Sequence, residues 1–171
     1  SLTVGAFTDL VELPPGLRAV AAKGGLSPFS TTSQNWISHY PLKPDVLFEG
    51  GNLIHDELLG PATAGELSLL TTHNHPIDRH LTLATATSAA TSLCSRMAAQ
   101  LMAAYPGRWP ESIRALIVHS AEWTDAMKQM FLPQNRNPTK QDYERLVRHC
   151  GFGVPSLERA QWSASNSLTL I

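Results

Sequence analysis

The sequence predicts an α/β domain, and three observations carry that expectation. Short apolar runs of strand length near the N-terminus are closed off by proline and glycine. From Ser88 to Tyr105 apolar residues recur at helical spacing, and from Glu111 to Trp123 a second segment is apolar on one side only.

Taken in order, Leu2 to Phe7 has strand-like density and ends in "TDLVELPPG", because Pro14, Pro15 and Gly16 cannot continue a ladder. "LSPFSTTS" from Leu26 carries a second extended segment. "KPDVLFEGG" from Lys43 carries a third, opened by Pro44 and closed by Gly50 and Gly51. Asn52 to His80 is polar and mixed, with no sustained period, and reads as a long surface excursion. After Ser88, Leu93, Met97 and Leu101 recur every four residues, and Cys94, Ala98 and Met102 repeat that spacing one position on. A helix apolar on so much of its circumference is expected to be central. "YPGRWP" stops it, and Pro110 suits the first turn of the next helix, where Ile113, Leu116 and Ile117 share a side and Glu111 meets the positive helix end. Helices are also expected near Asp125 to Phe131, Lys140 to His149 and Ser156 to Ser163, with "LTLI" as a last strand.

A length of 171 residues suits one domain with a real core. Charged residues make up 16% of the chain against roughly 25% in a typical soluble domain, which is less charge than a free-standing surface carries. With 13 Lys plus Arg against 14 Asp plus Glu the net charge is −1, and no basic stripe invites nucleic acid. Cys94 and Cys150 are too few for a disulfide framework and match no zinc spacing, so reduced thiols in a cytoplasmic setting are expected. No apolar stretch reaches the length of about eighteen residues that a membrane span needs, and no membrane partner is expected. The chain opens on "SLTVGAF", the interior of a strand, and is expected to be a fragment of a larger domain.

Ser88 stands where a short β-like run meets the long helix, and two readings compete for it. As an N-cap, its hydroxyl would accept a hydrogen bond from a first-turn N–H, worth about 1 kcal/mol. As a nucleophile, it would gain from the same place, since the helix dipole and free N–H groups stabilise an oxyanion. Ala86, Ala89 and Ala90 around it would let a substrate backbone approach. Only the second reading requires a histidine base held by a carboxylate.

"ATSAATS", followed by a long apolar helix, resembles the nucleophile motif G-T-S-x-A-x-P of subtilisin-like serine peptidases, with Ser88 in the nucleophile position. "LTVGAFT", "LSPFST" and "KPDVLFEGGN" resemble, in order, the family's V-G-A strand, its phenylalanine-serine strand and the segment before the nucleophile. "YPGRWPESIRALIVHSA" and "GFGVPSLERA" resemble its second C-terminal helix and its G-x-G turn with the last helix. Ala86 stands where the family has Gly, and Ser92 where it has Pro; Ala86 is accommodated if its φ is negative. The resemblance implies the C-terminal portion of a subtilisin-like three-layer fold, a mostly parallel sheet flanked by helices, with residues 1–171 as one domain fragment. It implies an acyl-enzyme at Ser88, whose backbone N–H contributes to the oxyanion hole. In the family's order the catalytic aspartate, the histidine and the oxyanion asparagine precede the V-G-A strand, and none of their motifs occurs here. The fragment alone is therefore expected to be inactive. Its implied partners are a polypeptide substrate and the N-terminal part of its own catalytic domain. The chemistry needs no metal or organic cofactor, although members of the family often bind calcium for stability. The family's main specificity pockets are built largely from strands upstream of Leu2.

Other chemistry-bearing residues have plainer readings. His73, His75 and His80 in "HNHPIDRH", with Asp78, could approach a metal, but match no known ligand spacing and read as a solvated loop. His119 reads as a hydrogen-bonded core or boundary histidine, Asp45 as structural, and Trp36, Trp109, Trp123 and Trp162 as core or interface aromatics. "QNRNPTKQDYERLVRHC" reads as a solvated charged face. Two rivals to the peptidase reading remain: a degenerate relative kept as a binding or scaffold module, suggested by Ala86 and Ser92, and an unrelated α/β domain in which Ser88 only caps its helix.

Overall fold

The computed structural model describes residues 1–30, 41–56 and 60–166. Trp36, the distal part of "LSPFSTTS" and the "LTLI" strand lie outside the described residues. At the centre, β1 (Val4–Thr8) pairs in parallel with β4 (Val46–Glu49), in register from Val4 opposite Val46 to Phe7 opposite Glu49. Its other edge pairs antiparallel with β3 (Gly25–Leu26), a strand two residues long, after β2 (Arg18–Ala19). β1 and β4 are apolar on both faces because both are covered.

Side chains alternate across a strand, and the cores follow that alternation. Val46 turns to one face and packs with Cys94, Met97 and Leu101 of α1 (Ala86–Ala104), Ile113 and Ile117 of α2 (Pro110–His119), and Ala160 of α5 (Leu157–Asn166). Leu47 turns to the other face and joins Phe7 with Met127 of α3 (Asp125–Phe131) and with Leu146 and Cys150 of α4 (Lys140–Cys150). Helices thus lie on both sides of the β1·β4 pair. Of the two apolar stripes expected on α1, the second is buried only at Cys94, half-buried at Ala98 and exposed at Met102, so one face of the helix is covered rather than most of it. α2 ends at His119, short of Trp123, because Glu122 is taken into an antiparallel bridge with Val154. Among the described residues no helix is long and apolar enough to cross a membrane.

One expectation about strands is corrected. The stretch from Asn52 to His80 carries three short paired strands: β5 (Leu53–Asp56) lies between β2 and β6 (Gly60–Thr63), and β7 (Leu69–Thr72) forms a hairpin with β8 (Leu81–Ala84). Most side chains of β6 and β7 are exposed, so no apolar alternation marked them. Of the sheet expected to be mostly parallel, the described residues contain one parallel pair, β1·β4, and their other strand pairs are antiparallel. Antiparallel neighbours close in the sequence, as β7 and β8 are, need only a short connection, whereas parallel pairs need long crossovers.

Asn52, fully buried, ties these segments together. Its Oδ1 accepts from the Ala21 N–H at 3.0 Å and the Leu53 N–H at 2.9 Å, and its Nδ2 donates to Leu10 O at 3.0 Å and Ala21 O at 2.9 Å. Both donors and both principal acceptor positions of the amide are used.

Replacing Asn52 with Ala leaves the Ala21 N–H without its acceptor and should cost about 3 kcal/mol, read from the urea midpoint at unchanged m-value. A loss under about 0.5 kcal/mol, typical of a surface change, would remove Asn52 from the frame. Burial pushes the Cys94 thiol up to about 11 and the Cys150 thiol up to about 12. An unfolded thiol ionises at lower pH than these folded ones, so the folded state holds more protons and stability falls as pH rises through this range. Iodoacetamide at pH 8.5 should therefore modify both cysteines at least ~100-fold more slowly in the native protein than in urea, as followed by mass spectrometry.

Candidate active site

β8 passes into α1 through a single sharp turn. Thr85, the N-cap residue, is extended at φ −138° and ψ −175°, and Ala86 follows at φ +69°. The condition under which alanine would be accommodated, a negative φ, is therefore not met: reversing from strand to helix within one residue takes Ala86 into the left-handed region, which costs a residue with a Cβ roughly 1–2 kcal/mol. A hydrogen bond from the Ala86 N–H to Gly50 O, at 2.7 Å, holds the turn. This bond forms because the chain leaving β4 passes directly against the elbow. A Cβ on Gly50 would stand 2.5 Å from the Ala6 Cβ and 3.2 Å from Ala86 O. Gly51 has φ +84°, and a Cβ there would stand 2.8 Å from Leu67 O and 3.2 Å from the Thr85 Cγ2. The pair read in the sequence as a strand terminator is also the seat of the elbow.

Ser88 is the third residue of α1 and is exposed, while the N-cap position belongs to Thr85. The capping role considered for Ser88 is therefore set aside. Thr85 itself makes no cap hydrogen bond, and no acidic side chain lies in the first turn. The first-turn N–H groups, including that of Ser88, consequently have no side-chain acceptor from Thr85, at the end of the helix where negative charge is favoured. The hydroxyls of Thr91, Ser92 and Ser95 turn back to carbonyls four residues earlier, Ser92 donating to Ser88 O at 3.1 Å. A proline at 92 would have neither that hydroxyl nor an N–H for the Ser88 carbonyl.

No described histidine is hydrogen-bonded to Ser88. His73 and His80 close the β7–β8 hairpin through a backbone bond of 3.0 Å, the His73 Nδ1 accepts from the His75 N–H at 3.0 Å, and His75, Asp78 and His80 are exposed. Among the described residues no group of three or more His, Cys, Asp or Glu is placed to hold a metal ion. His119 is exposed at the end of α2 rather than at a core boundary. Asp45 is buried and structural: its Oδ2 accepts from the Thr3 N–H and from Lys43 Nζ, both at 2.7 Å, with Arg114 at 3.6 Å from its Oδ1. Trp123 is half-buried and donates to Gly151 O at 2.9 Å, whereas Trp109 and Trp162 are exposed. In the charged segment before α4, Thr139 and Asp142 form a capping box, and the Arg136 guanidinium beside Asp142 holds that carboxyl well below the usual range.

Sequence reasoning named Ser88 and Ala86 but missed Gly50, Gly51, Asn52 and Thr85. The adjacent glycines followed by a buried amide, "GGN", were the available signal, since a double glycine after a strand marks a close backbone approach as well as a stop.

The profile described as the Subtilase family matches residues 1–153. Among curated proteins, the uncharacterized protein y4bN of Sinorhizobium fredii (strain NBRC 101917 / NGR234) is 31% identical over 134 residues, which is 75% of this chain and 29% of that protein. The chain spans less than a third of the relative's length. No solved structure matches it.

Ala86→Gly should relieve the left-handed turn and stabilise the protein by about 1 kcal/mol, whereas Gly50→Ala, which drives a methyl against Ala6, should destabilise it by about 2 kcal/mol. Thermal unfolding of both variants checks the pair. Equal stability of Ala86→Gly and the parent would mean that the elbow stores no strain.

Proposed function

The chain belongs to the subtilase family, and from that premise we propose that it is part of a serine peptidase in which Ser88 is the nucleophile. The observation that carries this reading is the position of Ser88: exposed in the first turn of α1, above an elbow pinned to Gly50, with uncapped N–H groups beside it. In the proposed reaction Ser88 Oγ attacks the scissile carbonyl carbon while a histidine takes the hydroxyl proton. The Ser88 N–H donates to the developing oxyanion. Collapse of the tetrahedral species breaks the C–N bond as the histidine returns its proton to the leaving amine, and water then releases the acyl group by the same steps in reverse role.

Histidine and aspartate are supplied, in this reading, by the N-terminal part of the same catalytic domain, of which residues 1–171 form the C-terminal portion. That part also supplies the remaining strands of a three-layer, mostly parallel fold. Without the base the hydroxyl is too weak a nucleophile for an amide, so the chain by itself is inactive. A second reading, a subtilase fold retained as a binding scaffold, draws support from Ala86 at φ +69° where the family motif has glycine.

A fluorophosphonate probe should label Ser88 in the full-length protein and leave Ser88→Ala unlabelled, with peptide hydrolysis by that variant at background. Residues 1–171 alone should not label. Labelling at a different serine would overturn the assignment, and a full-length protein that neither labels nor hydrolyses peptides would favour the scaffold.

A further inference from the structure

Beside the elbow lies a cavity of about 270 Å3 lined by Thr63, Ala64, Gly65, Ser68, Leu83 and Thr85. We propose that it is a side-chain subsite for the polypeptide substrate, admitting one uncharged residue close to the scissile bond. The inference rests on the reading of Ser88 as nucleophile.

Place is the first argument. Thr85 lines the cavity and is joined to Ser88 by the Ala86 turn and one further residue, so the cavity adjoins the elbow that carries Ser88. Thr85 supplies the second. It occupies the N-cap position in extended geometry, yet its hydroxyl makes no cap bond and no hydrogen bond with any described residue. A threonine at that position gives up about 1 kcal/mol by not capping, and its hydroxyl remains an unspent donor and acceptor on a residue that lines the cavity. Ser68 Oγ spends its proton on Ala64 O at 2.6 Å and retains acceptor capacity.

The lining then selects. Leu83, on β8, is 54% exposed and gives one apolar wall. None of the six lining side chains ionises, so a charged substrate side chain would lose its water without gaining a counter-charge. A volume of about 270 Å3 leaves room for a side chain of threonine, valine or leucine size. The space stays open because residue 65 is glycine: a Cβ there would meet only the Leu83 Cδ1, at 3.7 Å, so a larger residue fits without strain and fills the cavity.

The test uses the full-length protein and a peptide library varied at each position flanking the scissile bond. At one position the unsubstituted protein should prefer Thr, Val or Leu to Ala, and reject Asp, Glu, Lys and Arg. Gly65→Leu should lower the kcat/KM ratio of Leu over Ala at that position at least ~10-fold, mainly through KM, by excluding the larger side chain. Thr85→Val, isosteric but without the hydroxyl, should lower the ratio of Thr over Val about 5-fold, the effect of one hydrogen bond of roughly 1 kcal/mol. If both ratios stay within ~2-fold of the parent at every position, while Ser88 labels with fluorophosphonate, the subsite is wrong and the nucleophile assignment stands. If Ser88 does not label in the unsubstituted protein, the nucleophile assignment falls and takes the subsite with it.

Discussion

One backbone contact organises the site end of this molecule: the Ala86 N–H bonded to Gly50 O at 2.7 Å. Everything near Ser88 is referred to it. Gly50 terminates β4, whose partner β1 and covering helices make the best-buried part of the sheet, so the bond ties the start of α1 to the stiffest element available. For the contact to form, two chain segments must approach more closely than any Cβ allows, and the cost falls on residue identity. Gly50 cannot be larger without meeting Ala6, and Gly51 cannot be larger without meeting Leu67 O and Thr85. Ala86 shares the cost as left-handed backbone. A local violation of conformational preference is held by tertiary structure, the arrangement expected where geometry matters more than stability.

Asn52 extends the same anchorage in the other direction. Immediately after the glycine pair, its amide bonds Leu10, Ala21 and Leu53, while its own N–H bonds Leu67 O at 2.9 Å and Ser27 Oγ bonds Gly51 O at 2.7 Å. Three consecutive residues therefore lock the loops after β1, the short antiparallel sheet and the elbow into one frame. Hydrogen bonds carry this frame where apolar area is scarce, since most β6 and β7 side chains are exposed. That is also why the frame is brittle: a buried amide with all its bonds made has no conservative substitute.

The helices were legible in the sequence because burial writes a period there. Ile113 and Ile117, or Cys94, Met97 and Leu101, lie three or four residues apart and are buried together. β1 and β4 were legible for a related reason, as apolar runs covered on both faces. β8 showed only as the short β-like run before Ser88, and β5 to β7 did not show, because their pairing is a backbone property and most side chains of β6 and β7 are exposed without alternation. The candidate site was half legible. A serine at the head of an apolar helix stands out, and neighbouring motifs gave it a family. That Thr85 and not Ser88 takes the N-cap position, that Ala86 is left-handed, and that Gly50 is its partner, depend on contacts some 36 residues apart in the chain, which no local pattern encodes.

Position and reactivity of Ser88 are separable. Its position follows from Gly50, Gly51, Thr85, Ala86 and the packing of α1 on β1 and β4, all within this chain. Its reactivity, under the proposed reading, follows from a histidine and an aspartate contributed by the rest of the polypeptide. The exposed hydroxyls of Ser92 and Ser95 fit that separation: they donate to helix carbonyls, of Ser88 and Thr91, and spend their protons there. Under the same reading, an elbow fixed by this chain's own contacts presents a set oxygen and a set N–H, and the rest of the polypeptide has only to place an imidazole within reach. In such a division the strain at Ala86 is held entirely by the part that carries the nucleophile, and docking of the other part need not create it.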